Sequence, residues 1–395
     1  MKILFVIDTF YTSNNGTSIS AQRYCSELRK RGHEVRLLCG DKPHTKEETQ
    51  ITSGDFCTGV FHFPIFQPLC EKNGFLYANW TPSIVEQACN WADIVHVFTP
   101  FFLCNAAIRY CNKIGKPVTA AFHIQPENIT SNLGVAWFEP FNKMIYRIFA
   151  RTTYNRVRHV HTPSQLTANI MRKNGYTADI HVISNGINDD FIEAGKDRSF
   201  VAENPTDRLI KIMMIGRLSR EKRQDLIINA MQYSKYANRI QLVFAGKGPR
   251  YQYLRQLGDK LMIKPQFLYL NRQQLIDELM TTDLYIHASD MESEAISCIE
   301  AFATGLVPVI ANSPKSATPQ FALDGRSLFK AGNAKDLART IDYWLDRPQE
   351  RAMMANKYRT SARKYSLSNS VAIFESMLRK EIGIDESQML RRKIA

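Results

Sequence analysis

The 395-residue chain contains no run of about 18 uncharged apolar residues, so its sequence offers no helix able to span a bilayer. The opening Met1-Lys2-Ile3-Leu4-Phe5-Val6-Ile7-Asp8 is too short an apolar run for a secretion signal and lacks a small-residue cleavage site. Asp8 ends it as a polar residue ends a buried strand. The eight cysteines (25, 39, 57, 70, 89, 104, 111 and 298) form no C-x-x-C pair, and the nine histidines form no H-x-x-x-H. That scatter argues against a metal site and a disulfide framework, and reads as reduced core thiols of a cytosolic protein. Acidic residues are also scarce: 38 Asp and Glu stand against 51 Lys and Arg, a net charge of +13. So basic a chain suits nucleic acid, an anionic membrane surface or an anionic small molecule. With no RNA- or DNA-binding motif present, nucleic acid ranks last.

What the chain does have is apolar residues, 44% of the total, enough to bury two or three cores at about 150 residues per domain. Ile3 to Ile7 reads as a strand buried on both faces. A polar loop leads to Gly16, and Thr17 or Ser18 then caps a helix with Ala21, Tyr24, Cys25 and Leu28 on one side. Arg29, Lys30 and Arg31 fill its last turn and Gly32 ends it. Glu34 to Cys39 follows as the next strand, completing a Rossmann-like unit in which Gly16 would let a ligand approach the helix mouth. Further strands are expected at Asp93–Phe98, Pro117–Phe122, His159–His161 and Ile180–Ile183. The polar, turn-rich stretch from 190 to 207 is the expected linker. Beyond it the strand and helix alternation restarts at Ile210, and the last stretch, Ala334 to about Ile382, is helical.

The most informative segment is M-E-S-E-A-I-S-C-I-E-A-F-A-T-G-L-V-P, Met291 to Pro308. A helix starting near Ala295 would aim the N–H groups of Ala295, Ile296 and Ser297 at a bound anion. Glu292 before the helix and Glu300 inside it could accept from sugar hydroxyls on either side. Taken alone, two glutamates at this spacing favour a plainer reading, with Glu292 and Glu294 as solvated N-terminal helix charges and Glu300 an exposed helix residue. A second cluster, Gly216-Arg217-Leu218 with Lys222, sets two cations at a strand's carboxyl end, which suits a departing diphosphate. Gly246-Lys247-Gly248-Pro249 makes a similar turn after the next strand, and His123 follows strand Pro117–Phe122 where α/β folds bind ligands.

These segments resemble one family. Glu292 to Glu300 resembles the E-x7-E motif of retaining glycosyltransferases of family four; G-R-L-S-R-E-K resembles their diphosphate loop, and G-K-G-P their G-x-G-P turn. The resemblance covers most of the chain in order. It implies the α/β GT-B fold: two Rossmann-like domains facing across a cleft, at 1–190 and 191–366, with a helix from 367 onward packing back on the first. It also implies a hexose donor, UDP-glucose or UDP-galactose, and no cofactor. Arg217 and Lys222 would stabilise the diphosphate, Glu292 would orient the sugar, Glu300 would hold the ribose, and Gly16 and Gly246 would line the donor site. His123 would lie near the reacting sugar. Lys247, Asn271 and Lys315-Ser316-Ala317 depart from the family pattern, which leaves sugar and base open.

The run S-P-K-S-A-T-P-Q-F-A-L-D-G-R-S-L-F looks more like the branch that glycosylates diacylglycerol and related lipids. Lys143, Arg147 and Arg151 recur every four residues beside Trp137, Phe138, Phe141, Met144, Ile145, Ile148 and Phe149. That helix suits the interface of an anionic membrane at the cytoplasmic face, and almost as well a core helix with a solvated basic side. The expected partners are therefore a nucleotide-sugar and a lipid acceptor. Soluble transfer to a glycan precursor and non-catalytic nucleotide-sugar binding stand as alternatives.

Overall fold

The structure is a computed structural model that describes residues 1–11, 16–42, 54–61, 76–127, 130, 138–199 and 203–383. Two compact units emerge: Met1–Ser184 with the residues from Ser370 onward, and Asn185–Asn369.

The first unit is built on a seven-stranded sheet in the order Phe56–Cys57, Glu34–Cys39, Lys2–Val6, Ile94–Val97, Val118–Ala121, His159–Thr162, Asp179–Val182. Every pairing in it is parallel. Burial of both faces explains the near-continuous apolar runs: Ile3 to Val6 are fully buried. Helix Gly16–Lys30 buries Ala21, Tyr24, Cys25 and Leu28, the expected face, and Gly32 at φ 84 turns the chain out of it. From Ser370 on, the terminal helix Leu367–Ile382 belongs to this unit. Its Phe374 lies edge-on to Tyr24, His96 and His161, with centroids 5.0, 4.8 and 5.3 Å away.

The second unit repeats the design with six parallel strands: Gln266–Leu268, Ile240–Ala245, Ile210–Ile215, Leu284–His287, Pro308–Asn312, Leu328–Lys330. Its core is its own, running from Ile187 to Ala362.

The expected limits at 190/191 and 366/367 shift to 184/185 and 369/370. The stretch taken for a linker holds a helix, Asp189–Lys196, which buries Phe191 and Ile192 in the second core. Its Gly195 packs so tightly that an added Cβ would stand 2.1 Å from the Ala303 carbonyl oxygen. Asn185 is fixed to the same unit by the buried Glu294 carboxylate, which accepts from its backbone N–H at 3.0 Å and its side-chain amide at 2.7 Å. Glu294 is thus no solvated helix charge.

Candidate active site

Strand Ile210–Ile215 ends at Gly216 and strand Ile240–Ala245 at Gly246, side by side on the carboxyl edge of the second sheet. The two turns interlock through their backbones. Gly216 N donates to Ala245 O at 2.9 Å, Leu218 N to Lys247 O at 3.0 Å, and Arg250 N to Leu218 O at 3.0 Å. A Cβ at Gly246 would stand 2.1 Å from Gly216 O, and one at Gly248 would stand 2.3 Å from Leu218 O. Gly246 was expected to line the donor site; packing against the neighbouring turn already requires glycine there. Gly16 differs, since a Cβ on it would meet nothing within 4 Å.

Arg217 projects from this interlock as an exposed side chain. Lys222 closes a short 3-10 turn, Arg220–Lys222, and Arg223 at φ 57 redirects the chain into helix Gln224–Ala230. The Lys222 stem runs past Gly216, its Cδ 3.6 Å from where a Cβ would be. That is an ordinary contact distance, so what favours glycine at 216 is its backbone, at φ 154.

The cation reaches Glu292. Lys222 Nζ is paired with Glu292 Oε1, and His287 Nε2 lies 2.9 Å from the same oxygen. Burial alone would raise the Glu292 carboxyl, but Lys222 and the His287 contact outweigh it and hold it far below the usual carboxylate range. Glu292 is therefore an ionised carboxylate, 12% exposed, with its backbone anchored by Ala317 N donating to Glu292 O at 2.9 Å.

The helix after it runs Ile296–Ala303 with Ala295 as its N-cap, left-handed at φ 68 and ψ 60. Cys298 N donates back to Ala295 O at 2.9 Å. Ile296 and Ser297 are then the first two helical residues, whose N–H groups have no intrahelical acceptor. Anion capture by this end needs only those donors and the positive end of the helix dipole. Glu300, one turn in, is 8% exposed, which excludes a freely solvated helix charge.

His287 was missed by the sequence reading. A lone histidine at a strand's end carries no spacing signal, and only its fold neighbours reveal it. Tyr285 OH lies 3.3 Å from His287 Nδ1 and 3.3 Å from Ser297 Oγ, and Ser297 Oγ donates to Ile215 O at 3.3 Å. One chain of polar contacts thus joins Glu292 to the helix start.

In the first unit, His123 follows strand Val118–Ala121 as expected. Its ring is parallel to Phe98 at 6.1 Å and edge-on to His161 at 5.0 Å. Burial lowers the imidazole to about 4, so it is neutral at pH 7, and its buried Nε2 has no hydrogen-bond partner among the described residues. His96 is a packing residue, its Nδ1 2.7 Å from Thr119 Oγ1. On helix Glu139–Thr152, Lys143, Arg147 and Arg151 are exposed together with Met144 and Ile148, while Phe141 is half-buried. Phe149, grouped with the apolar membrane side, instead faces the core beside Tyr146. Trp137 lies outside the described residues. No group of three or more His, Cys, Asp or Glu suited to a metal occurs among the described residues.

Comparison with known proteins places these features. Residues 14–191 match the family described as Glycosyltransferase Family 4, and residues 195–361 match Glycosyl transferases group 1. A GDP-mannose-dependent alpha-mannosyltransferase of Mycobacterium tuberculosis is 21% identical over 333 residues, 79% of each chain. HepE of Anabaena, solved with UDP, is 17% identical and superposes with a TM-score of 0.73 over 96% of this chain and 100% of its own. The catalytic domain of cholesterol-alpha-glucosyltransferase from Helicobacter pylori is 50% identical, covering 40% of this chain and 99% of its own, at a TM-score of 0.39. Two tandem glycosyltransferase family matches, one on each Rossmann-like unit, thus accompany a chain of the GT-B fold.

Proposed function

We propose that the protein is a retaining hexosyltransferase that moves glucose or galactose from a UDP-sugar to the hydroxyl of a membrane lipid such as diacylglycerol. The observation that carries the reading is the Lys222–Glu292–His287 cluster beside the Gly216 turn and the helix end at Ile296. Charge builds on the diphosphate as the glycosidic bond breaks. Arg217, Lys222 and the Ile296 and Ser297 amides supply fixed positive potential where that charge develops. Glu292, kept ionised, accepts from sugar hydroxyls and favours an oxocarbenium-like sugar. Glu300 accepts from the ribose. His123, neutral at pH 7, keeps the role near the sugar that the family resemblance assigns it. The crystallised UDP complex of HepE supports a uridine donor, and the mycobacterial relatives named for GDP-mannose make the base a point to test.

Support for a lipid acceptor comes from the exposed side of helix Glu139–Thr152. Met144 and Ile148 stand beside Lys143, Arg147 and Arg151 on a chain of net charge +13. Each cation near an anionic surface contributes about 1 kcal/mol. This reading puts the protein on the cytoplasmic face of the membrane as a peripheral enzyme.

The test incubates the protein with UDP-glucose, UDP-galactose or GDP-mannose and anionic vesicles holding diacylglycerol or a sterol, each an apolar body with one hydroxyl. Mass spectrometry of the extracted lipids reads the outcome. A hexosylated lipid with a uridine donor is expected. Donor hydrolysis without lipid product moves the acceptor to a glycan, and binding without turnover overturns the enzyme reading.

A further inference from the structure

The contacts linking Glu292 to the Ile296–Ala303 helix contain a hydrogen deficit. Four links join five groups in series: Glu292 to His287 at 2.9 Å, His287 to Tyr285 at 3.3 Å, Tyr285 to Ser297 at 3.3 Å, and Ser297 to Ile215 O at 3.3 Å. Both ends only accept, since Glu292 is ionised and Ile215 offers a carbonyl. Each link needs one hydrogen. Tyr285 and Ser297 own one each, so His287 must supply two. A neutral imidazole supplies one; the imidazolium supplies both and completes the series. His287 and Tyr285 are fully buried, so water does not make up the deficit at their end.

The charges acting on His287 explain why the deficit exists. Burial pushes the imidazole below its ordinary value, the Glu292 contact opposes this, and Lys222 adds to the lowering. Cys298, on the helix packed behind, has its thiol pushed well up by burial and contributes no charge. Lys222 and His287 address the same carboxylate oxygen, which has a lone pair for each, so the lysine charge stands close to the ring and opposes its protonation.

We infer that His287 positions Glu292 through a hydrogen-bond chain that lacks one hydrogen while Lys222 occupies the carboxylate, and that it gains that hydrogen as a solvent proton when a diphosphate draws Lys222 away. The inference rests on the proposed role of Lys222 as a diphosphate ligand. On donor binding the carboxylate exchanges a lysine partner for an imidazolium one and stays both ionised and oriented. The completed chain then ties the sugar-facing carboxylate to Ser297, whose amide faces the phosphate. His287 touches no substrate; it is a positioning residue.

The experiment is calorimetric titration of UDP into the full chain at pH 7 in two buffers of different ionisation enthalpy. The difference in heat counts protons taken up per UDP. The wild type is expected to take up more protons than His287→Gln, by up to about one, the capacity of a single imidazole. Glutamine keeps a donor toward Glu292 without titrating, and the protonation of UDP itself cancels between the two proteins. Equal proton counts with UDP bound to both would overturn the inference and leave the donor reading standing. No UDP binding to the wild type would overturn the donor reading, and this inference with it. Should His287→Gln fail to fold, Tyr285→Phe serves. It removes the acceptor for the second imidazole hydrogen, so proton uptake must fall below wild type, and an unchanged count refutes the chain.

Discussion

Glu292 and Lys222 each leave the other stranded when removed. The pair is largely buried, with side chains 12% and 19% exposed, so either single alanine substitution leaves a charge with its water stripped and its partner gone. Both Glu292→Ala and Lys222→Ala are expected to lower the melting temperature, and the double variant to recover part of the loss. Additive losses in a double-mutant cycle would show that the pair is not coupled. Turnover should fall roughly 100- to 1,000-fold in either single variant, the usual cost of one electrostatic donor to a developing charge. A Glu292→Ala enzyme with full kcat would remove that residue from the mechanism. Both residues were legible in the sequence because the glutamate spacing and the G-R-L-S-R-E-K segment are local patterns. His287 was not, because its meaning lies in the fold contacts that set it between Glu292 and Tyr285, which no spacing in the sequence marks. Gly246 was visible as a glycine, but the packing that requires it there was not. A glycine that admits a ligand and one that admits the Gly216 carbonyl look alike until the facing backbone is known.

Among the elements, strands were the easiest to foresee, since double burial leaves uninterrupted apolar runs such as Ile3 to Ile7. Helix Asp189–Lys196 was hidden by its brevity and polarity. Its signals were Asp189 and Asp190 in the first turn and Lys196 in the last, which suit the helix dipole but equally suit a surface turn. What makes it an element of the fold is its close approach to helix Ile296–Ala303 at Gly195. Gly195→Ala drives a methyl onto the Ala303 carbonyl oxygen, 2.1 Å away, and should destabilise by about 1–3 kcal/mol. Because Ala303 ends the helix that carries Glu300, donor affinity should weaken in the same variant, as titration with UDP would measure. The terminal helix depends on one side chain in a similar way. Phe374 is fully buried against Tyr24, His96 and His161, so Phe374→Ala should cost about 3–5 kcal/mol, read by chemical denaturation. A cost under 1 kcal/mol would mean that the helix docks by its ion pairs, such as Arg31 to Glu375 at 3.7 Å.

The whole molecule divides its response to acid unequally between its units. In the first, His33, His96, His123, His159, His161 and His181 all have imidazoles lowered by burial as the leading cause; in the second, His287 alone does among the described residues. The sign follows from proton counts. Below the ordinary value of 6.5 the unfolded chain binds protons that the buried rings refuse, so folding stability falls with pH, by about 1.4 kcal/mol per pH unit for each ring fully excluded. For His123 the loss continues down to about 4, where the folded ring also titrates. His96 and His161, stacked at 5.1 Å, lie well below the ordinary value, and protonating one adds repulsion to its neighbour. Asp8 works in the opposite sense. Burial raises it to about 6, so the folded state binds its proton first and gains stability between about 6 and 3.8. Asp55 and Glu381, also raised by burial, act in the same sense, so among this unit's described residues three carboxyls oppose six rings and the rings outnumber them. The first unit should therefore open before the second as pH falls from 6.5 toward 4.5, and hydrogen exchange resolved along the chain would show it as early loss of protection in strands Ile94–Val97 and His159–Thr162. His161→Phe keeps an aromatic ring beside Phe374 without a titrating nitrogen. It should shift the acid transition to lower pH while leaving protection at pH 7.5 unchanged. An acid midpoint equal to wild type would place the sensitivity elsewhere than in these rings.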